Sequence, residues 1–528
     1  MAASSQIVDK QFQSRWLLIT LGALAATGLG VRLLLLLKAH WMADYDEAMI
    51  GLMGIDITQG ARPIFLYGQP YLGAIEAYLL AAVFGPLGAN HVTLKIVPLA
   101  VSLMWMATTF VLARRLAGRR AAMLAVAITA VPPLYVLVTT SKAWGGTIET
   151  MALGNVVLLC TVEAADDRSL RRVLWLALLG LCVGFSFWLH WLGAYYVMAA
   201  VLYLAIRDPA LFIKPGTWAA LPLFAIGSLP LWIYNLQHNW TTFRYLLSGV
   251  GNAQAGPDAA AVAWDLFSRL IPRVLGVESV GNPWPGWLAV ALVAAGAAGV
   301  IVCCVRERWQ RHPSPAEIVL LFVVSVPFLY VASGFGRPAL NPYGVDATGR
   351  YVVPLFSAVP LIVAVLYSRL SRWLARAVVM LMIAINLVGI INADATQAFQ
   401  SPYYNRCPPT FAPVIAALRE EGLRYVWTDI GLGQPLMFES NREILTADYV
   451  DYKAGGLVRF PSALEAVRTA ERTAYLVAIL PGQIGPLERQ FQRLGVGYRK
   501  REVGSLALFV PDRRVDPAEV VAGLGMQY

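Results

Sequence analysis

Apolar stretches of membrane length recur from about residue 16 to about residue 392, separated by short polar gaps. The pattern predicts eleven spans, at roughly 16–38, 91–113, 121–138, 147–163, 173–188, 192–206, 218–235, 285–304, 316–333, 351–368 and 374–392. The first run follows a polar start and lacks a small-residue cleavage site, so it reads as a retained span and not a signal peptide. A further apolar stretch, 71–85, breaks the alternation of the loops and reads as an amphipathic helix along the outer interface. Beyond residue 393 the pattern changes. Helical periodicity at 411–421 and β-rich runs at 424–429, 475–480 and 505–510 predict a small α/β unit. The expected architecture is a polytopic α-helical membrane domain over 1–392 with an extracytoplasmic α/β domain over 393–528.

Composition agrees with that reading. Of 528 residues, 58% are hydrophobic and only 14% charged, too apolar for a soluble globular chain. The net charge of +10 sits in short clusters between apolar runs, among them Arg114/Arg115/Arg119/Arg120 and Arg168/Arg171/Arg172. Such clusters fit cytoplasmic loops, whereas a nucleic-acid partner would need a continuous basic face. The N-terminus is then cytoplasmic in a multi-pass inner (plasma) membrane protein, and the chain after 393 lies outside. The five cysteines show no CxxC or Cys/His spacing, which argues against a structural zinc site.

With this orientation the outer loops are 39–90, 139–149, 236–284 and 334–350, and they hold the candidate chemistry. Loop 236–284 is long and dotted with Gly and Pro, as a mobile lid would be. The segment Asp44-Tyr45-Asp46-Glu47 places three carboxylates just after the first span. Adjacent acids on one helical turn point about 100° apart, so one can face a substrate while the other orients a partner; helix capping is the simpler role. The next outer loop brings Lys142, Trp144, a Gly145-Gly146 pair and Glu149. Lys95, one turn into the second span, either snorkels or meets a phosphate. Arg337 and Arg350 flank the 334–350 loop, and Arg350-Tyr351 opens a span; each guanidinium suits a phosphate or an interfacial anchor. His190, between Trp188 and Trp191, reads first as an interfacial histidine. Outer-face acids, cations and aromatics together suit a lipid-phosphate donor and a hydroxyl-bearing acceptor.

The order and sidedness of several motifs resemble the GT-C superfamily of membrane glycosyltransferases, in its protein mannosyltransferase (family 39) and aminoarabinose-transferase branch. The likeness rests on Asp46-Glu47 after the first span, the interfacial FLYGQPYLGAIEAYL segment containing Tyr67 and Gln69, the RRLAGRR loop, the WGGTIET loop and the RYVVPL start of a late span. It covers about residues 15–392. The resemblance implies transfer of a sugar from a polyprenyl-phosphate or -diphosphate carrier to a protein, lipid or glycan acceptor at the outer membrane face. It implies Asp46 as the catalytic carboxylate with Glu47 as its partner, Glu149 as a second acid, and Lys95 and Arg350 at the donor phosphate. Tyr67, Gln69, Lys142, Trp144, His190, Arg337 and Tyr351 complete the expected substrate-binding set. Some members need a divalent cation such as magnesium or manganese and others do not; here Asp44 and Asp46 are the candidate ligands. Two other classes compete, a transporter or flippase of a lipid-linked sugar and a non-catalytic scaffold for envelope glycan assembly. The acids sit in loops at one face, not at mid-membrane, and no inverted repeat relates the halves.

Overall fold

The computed structural model describes residues 2–167, 169–245, 258–277, 283–310, 314–333, 349–369, 372–401, 406–449, 458–479 and 484–520. Every one of the eleven apolar runs carries helix. Among the described residues, six helices are long and apolar enough to cross a membrane: Arg15–Lys38, His91–Ala117, Thr147–Asp166, Arg171–Leu189, Trp284–Trp309 and Arg372–Asn392. A seventh crossing is possible if the pair Gly216–Gly227 and Leu229–Gln237, bent by 56°, forms one span. Trp191–Arg207, Glu317–Ser333 and Val353–Arg369 are shorter apolar helices. The chain is a multi-pass membrane protein. The run at 121–138 is broken into Arg119–Ala130 and Leu134–Thr139. The break falls at Pro132-Pro133, because proline lacks an N–H and disfavours helix in the residue before it. Within the lid candidate 236–284, residues 246–257 and 278–282 lie outside the described residues, and the described part is not simply a loop, since it carries consecutive helical turns at Ala259–Asp265, Leu266–Leu270 and Ile271–Val274. All of 334–348, including Arg337, also lies outside the described residues.

The chain divides into two compact units. The first comprises Met1–Leu35, Pro98–Ser141 and Gly146–Ala393, and is the helical bundle. Its helices approach closely where side chains are absent. A Cβ on Gly180 would lie 2.2 Å from the Ala220 carbonyl oxygen, and one on Gly184 2.2 Å from that of Phe224. That G-xxx-G face is a common device for backbone-to-backbone packing in lipid. Arg32, fully buried in the first span, donates to the carbonyls of Gly28 (3.0 Å) and Ala130 (3.4 Å) and to Thr140 Oγ1 (3.1 Å). A buried cation in a membrane helix needs such partners.

The second unit is discontinuous in sequence: Leu36–Val97, Lys142–Gly145 and Asp394–Tyr528. After α1 (Ala2–Lys38), its first part contains α2 (Tyr45–Thr58), the hairpin β1 (Phe65–Leu66) and β2 (Gln69–Gly73), α3 (Ile75–Leu87) and the start of α4 (His91–Ala117). The expected interfacial helix at 71–85 is therefore a strand end followed by α3. Gly68, at φ 73°, makes the hairpin turn, and Pro70 sits in β2 just beyond it. The C-terminal part is a five-stranded mixed sheet in the order β4-β3-β5-β7-β6. Its strands are β3 (Tyr425–Thr428), β4 (Leu445–Asp448), β5 (Ala474–Ala478), β6 (Tyr498–Val503) and β7 (Leu506–Pro511). β3 pairs in parallel with β4 and β5, while β7 runs antiparallel to β5 and β6. Helix Ile430–Glu439 connects β3 to β4, and Pro461–Thr469 precedes β5. Their core includes Trp427, Tyr475, Val477, Leu487, Phe491 and Phe509.

Candidate functional site

The acidic segment becomes a helix entry. Asp44 has extended backbone and is the N-cap of α2, its Oδ1 accepting the Glu47 amide at 3.0 Å. The capping role thus falls to Asp44, leaving Asp46 and Glu47 in the first helical turn, where the helix dipole favours negative charge. All three are at most 5% exposed.

Two lysines meet these acids. Lys142 Nζ donates to Asp44 Oδ2 at 2.6 Å and to the Phe399 carbonyl at 2.6 Å. Lys95 Nζ, with no exposed surface, bonds both Glu47 oxygens at 2.6 and 2.7 Å. Lys95 thus reaches a carboxylate of its own chain, where the resemblance implies a donor phosphate. Burial pushes the Glu47 carboxyl up, and the Lys95 ammonium pulls against that rise. Glu47 Oε1 also accepts the Ala143 amide at 3.2 Å.

Asp46 has a different setting. Its Oδ2 accepts the Trp144 indole N–H at 3.1 Å, and its Oδ1 lies 3.9 Å from Arg459 Nη1. Trp144 is itself fixed: the Lys142 ammonium lies 5.2 Å from its ring centroid, and the next residue, Gly145, donates its amide to Glu76 Oε2 at 2.9 Å. Gly145 has φ 68°, a left-handed conformation that costs glycine nothing and any other residue something. The 142–145 loop is therefore pinned to the first outer segment at four successive residues. Glu76 belongs to the interfacial FLYGQPYLGAIEAYL segment, whereas Arg459 and Phe399 escape a reading of the sequence, because no local motif marks them and each acts through contacts far along the chain.

Tyr67 sits near this cluster in sequence but serves a separate one. It hydrogen-bonds Asp56, which also takes Arg442 at 2.6 Å, and its ring meets Phe460 edge-on at 5.6 Å between centroids. Burial and the Asp56 carboxylate push the Tyr67 hydroxyl up to about 12, and burial raises Asp56. Gln69 opens β2, half-buried.

The remaining candidates belong to the helical unit. Glu149 lies in the first turn of Thr147–Asp166, 6% exposed, with neither oxygen hydrogen-bonded among the described residues. His190 caps a short 3-10 turn, its Nδ1 accepting the Leu192 amide at 3.1 Å. Burial, reinforced by Arg350, depresses the imidazole to about 3, so it stays neutral at physiological pH. Arg350 donates to the Tyr351 hydroxyl at 2.9 Å and lies over its ring.

Asp44 and Asp46, the candidate metal ligands, do not make a metal site. Both Asp44 oxygens are engaged, one by an ammonium and one by an amide. Among the described residues no three His, Cys, Asp or Glu side chains converge. This donor set does not fit a magnesium or manganese ion, which wants several unshared oxygens.

The helical bundle joined to an α/β unit has the GT-C fold of membrane glycosyltransferases. A family model described as dolichyl-phosphate-mannose-protein mannosyltransferase matches residues 70–234. The structure is similar to that of ArnT from Cupriavidus metallidurans bound to undecaprenyl phosphate, with TM-score 0.65 at 12% identity, covering 97% of this chain and 100% of that one. The apo state of the same protein gives TM-score 0.63, also at 12% identity, with 100% of each chain covered. The Archaeoglobus fulgidus oligosaccharyltransferase in complex with zinc and sulfate gives TM-score 0.50 at 14% identity, covering 92% of this chain and 72% of that one. No curated protein sequence matches the chain.

Proposed function

We propose that this protein transfers a sugar from a polyprenyl-phosphate carrier to an acceptor hydroxyl at the outer membrane face, with Asp46 as the base. The observation that carries the reading is the contrast within one helical turn. Asp44 and Glu47 each hold a lysine ammonium at 2.6 Å, while Asp46 is oriented by a neutral indole N–H and faces a guanidinium at 3.9 Å. Neutralised neighbours keep the local field from opposing a third carboxylate, and the Trp144 bond fixes its direction. An acceptor hydroxyl needs only one such base, because the phosphate leaves as a stabilised anion and requires cations, not an acid.

Lys95 and Lys142 act as positioning residues in this scheme, fixing the helix entry and the 142–145 loop around Asp46. Glu149 is assigned as the second acid; a buried carboxylate without a hydrogen-bond partner among the described residues is expensive to keep unless a ligand meets it. Arg350 is assigned to the donor phosphate. The ArnT structure holds undecaprenyl phosphate, which supports a carrier of that chemistry here.

The test is turnover by purified protein supplied with polyprenyl-phosphate sugars. Asp46→Asn is expected to lose about 10²–10⁴-fold in rate, the usual contribution of a general base, with an unchanged melting temperature. Equal turnover by Asp46→Asn would remove the residue from its role. Uptake of a lipid-linked sugar into proteoliposomes without transfer would favour the transporter class.

A further inference from the structure

The α/β part of the second unit contains a cavity of about 460 Å³, counting the solvent it opens onto, at the carboxyl ends of the parallel strands β3 and β4. Open α/β sheets place ligands in that crevice, where the strand-to-helix turns converge. Here Asp429 directly follows β3 and caps helix Ile430–Glu439, accepting the Leu432 amide at 3.0 Å, while Asp448 ends β4.

Two lining side chains are incompletely satisfied among the described residues. Gln434 is 5% exposed and its buried Oε1 accepts no hydrogen bond. Arg459 has its Nε and Nη1 buried without a hydrogen-bond acceptor. Buried polar atoms left this way cost stability unless a ligand or water completes them. The two needs are opposite. Gln434 Oε1 requires a donor, and the Arg459 nitrogens require an acceptor.

A carboxylate or an ionised phosphate ester would serve Arg459 but offers no hydrogen to Gln434, and Asp429 and Asp448 would repel any anion. An ammonium would serve Gln434 and be drawn by Asp429 and Asp448, but it has no acceptor to offer the Arg459 nitrogens and is opposed by that guanidinium. A hydroxyl donates and accepts at once, and neighbouring hydroxyls on a ring do so at two points. Phe460 and Leu464 add apolar lining that suits the C–H face of a sugar. We propose that this pocket is a saccharide subsite that binds a neutral sugar ring. Its Arg459 also stands 3.9 Å from Asp46. Resting on the transferase reading, the acceptor that presents its hydroxyl to Asp46 is then a glycan, gripped one ring away from the reacting position.

The test uses the full-length protein in detergent, titrated calorimetrically with methyl glycosides of the common hexoses and, separately, with inorganic phosphate. At least one glycoside is expected to bind. Gln434→Met should weaken it about tenfold or more, the scale for one lost buried hydrogen bond, and Gln434→Glu, which keeps an acceptor oxygen, should restore most of it. Arg459→Met removes donors instead and should weaken the same glycoside, which keeps the test decisive if Gln434→Met does not fold. The proposal is overturned if no glycoside binds the wild type, if both Met variants bind it unchanged, or if phosphate displaces it. Asp46→Asn separates the two readings: retained turnover together with intact glycoside binding sinks the base and leaves the pocket standing.

Discussion

Two ionic clusters in this protein use the same kinds of side chain in opposite surroundings. In the second unit, Asp44, Glu47, Lys95 and Lys142 form two pairs whose side chains are at most 2% exposed. In the helical unit, Arg115 bridges Glu163 (2.6 Å) and Asp166 (2.7 Å), and Arg207 joins Asp166 at 2.9 Å, with side chains 14–29% exposed. The bond lengths barely differ. The solvent does. Water and ions can replace any member of the second cluster, so its geometry says little about its worth. In the first, each charge depends on one partner, and removing that partner leaves a desolvated ion. Short distances alone therefore do not identify the pairs that hold a site together.

The largest effect should come from halving a sealed pair. Lys95→Met or Glu47→Gln is expected to cost about 3–5 kcal/mol in thermal unfolding, whereas the double variant should recover much of that because no orphan charge remains. Single variants within about 1 kcal/mol of wild type would erase the distinction between the clusters. Gly145→Ala should cost about 1–2 kcal/mol, since alanine resists a φ of 68° and its Cβ would lie 3.3 Å from Leu72 Cδ1. It should also lower transfer activity by shifting Trp144 away from Asp46.

Burial without a charge partner gives a third test, at His190. The folded imidazole titrates near 3 and the free one near 6.5, so between those values the unfolded chain binds the proton that the folded chain refuses. Stability is complete above about pH 6.5 and declines as pH falls towards 3. His190→Gln should flatten that part of a melting-temperature profile and leave the neutral-pH rate profile unchanged in shape. The smallest effect belongs to the open cluster: Arg115→Ala should change stability by about 1 kcal/mol at most, less in high salt.

The sequence made some of this legible and concealed the rest for identifiable reasons. Membrane-length apolar runs announce helices because their signal is long and local. β3, β5 and β7 coincide with the β-rich runs at 424–429, 475–480 and 505–510, while β4 and β6 escaped. Those two are the edges of the sheet, and β6, YRKREV, carries exposed charge along its length, as edge strands often do. Charge of that kind masks an alternating pattern. The hairpin at 65–73 escaped because its second strand runs on into the apolar stretch 71–85, whose hydrophobic residues read as helix. Asp46, Glu47, Lys142 and Trp144 could be singled out from residue type and position. Their pairing could not, because Lys95 meets Glu47 across 48 residues and Lys142 meets Asp44 across 98. Arg459 lies more than four hundred positions from the acid it faces, with no motif around it.

The contact between Lys142 and the Phe399 carbonyl, 257 residues apart, has a consequence for the chain as it is made. The second unit closes only when its third segment arrives, after the last long helix, Arg372–Asn392, has been synthesised. Until then Lys142 lacks one of its acceptors, and Arg459 has not been added beside Asp46. Such distant closures are slow to form, because chain entropy must be spent before any contact rewards it. The carboxylate cluster is therefore dormant through most of biosynthesis, and a chain interrupted before residue 399 would display the acids of α2 without the surroundings that orient them.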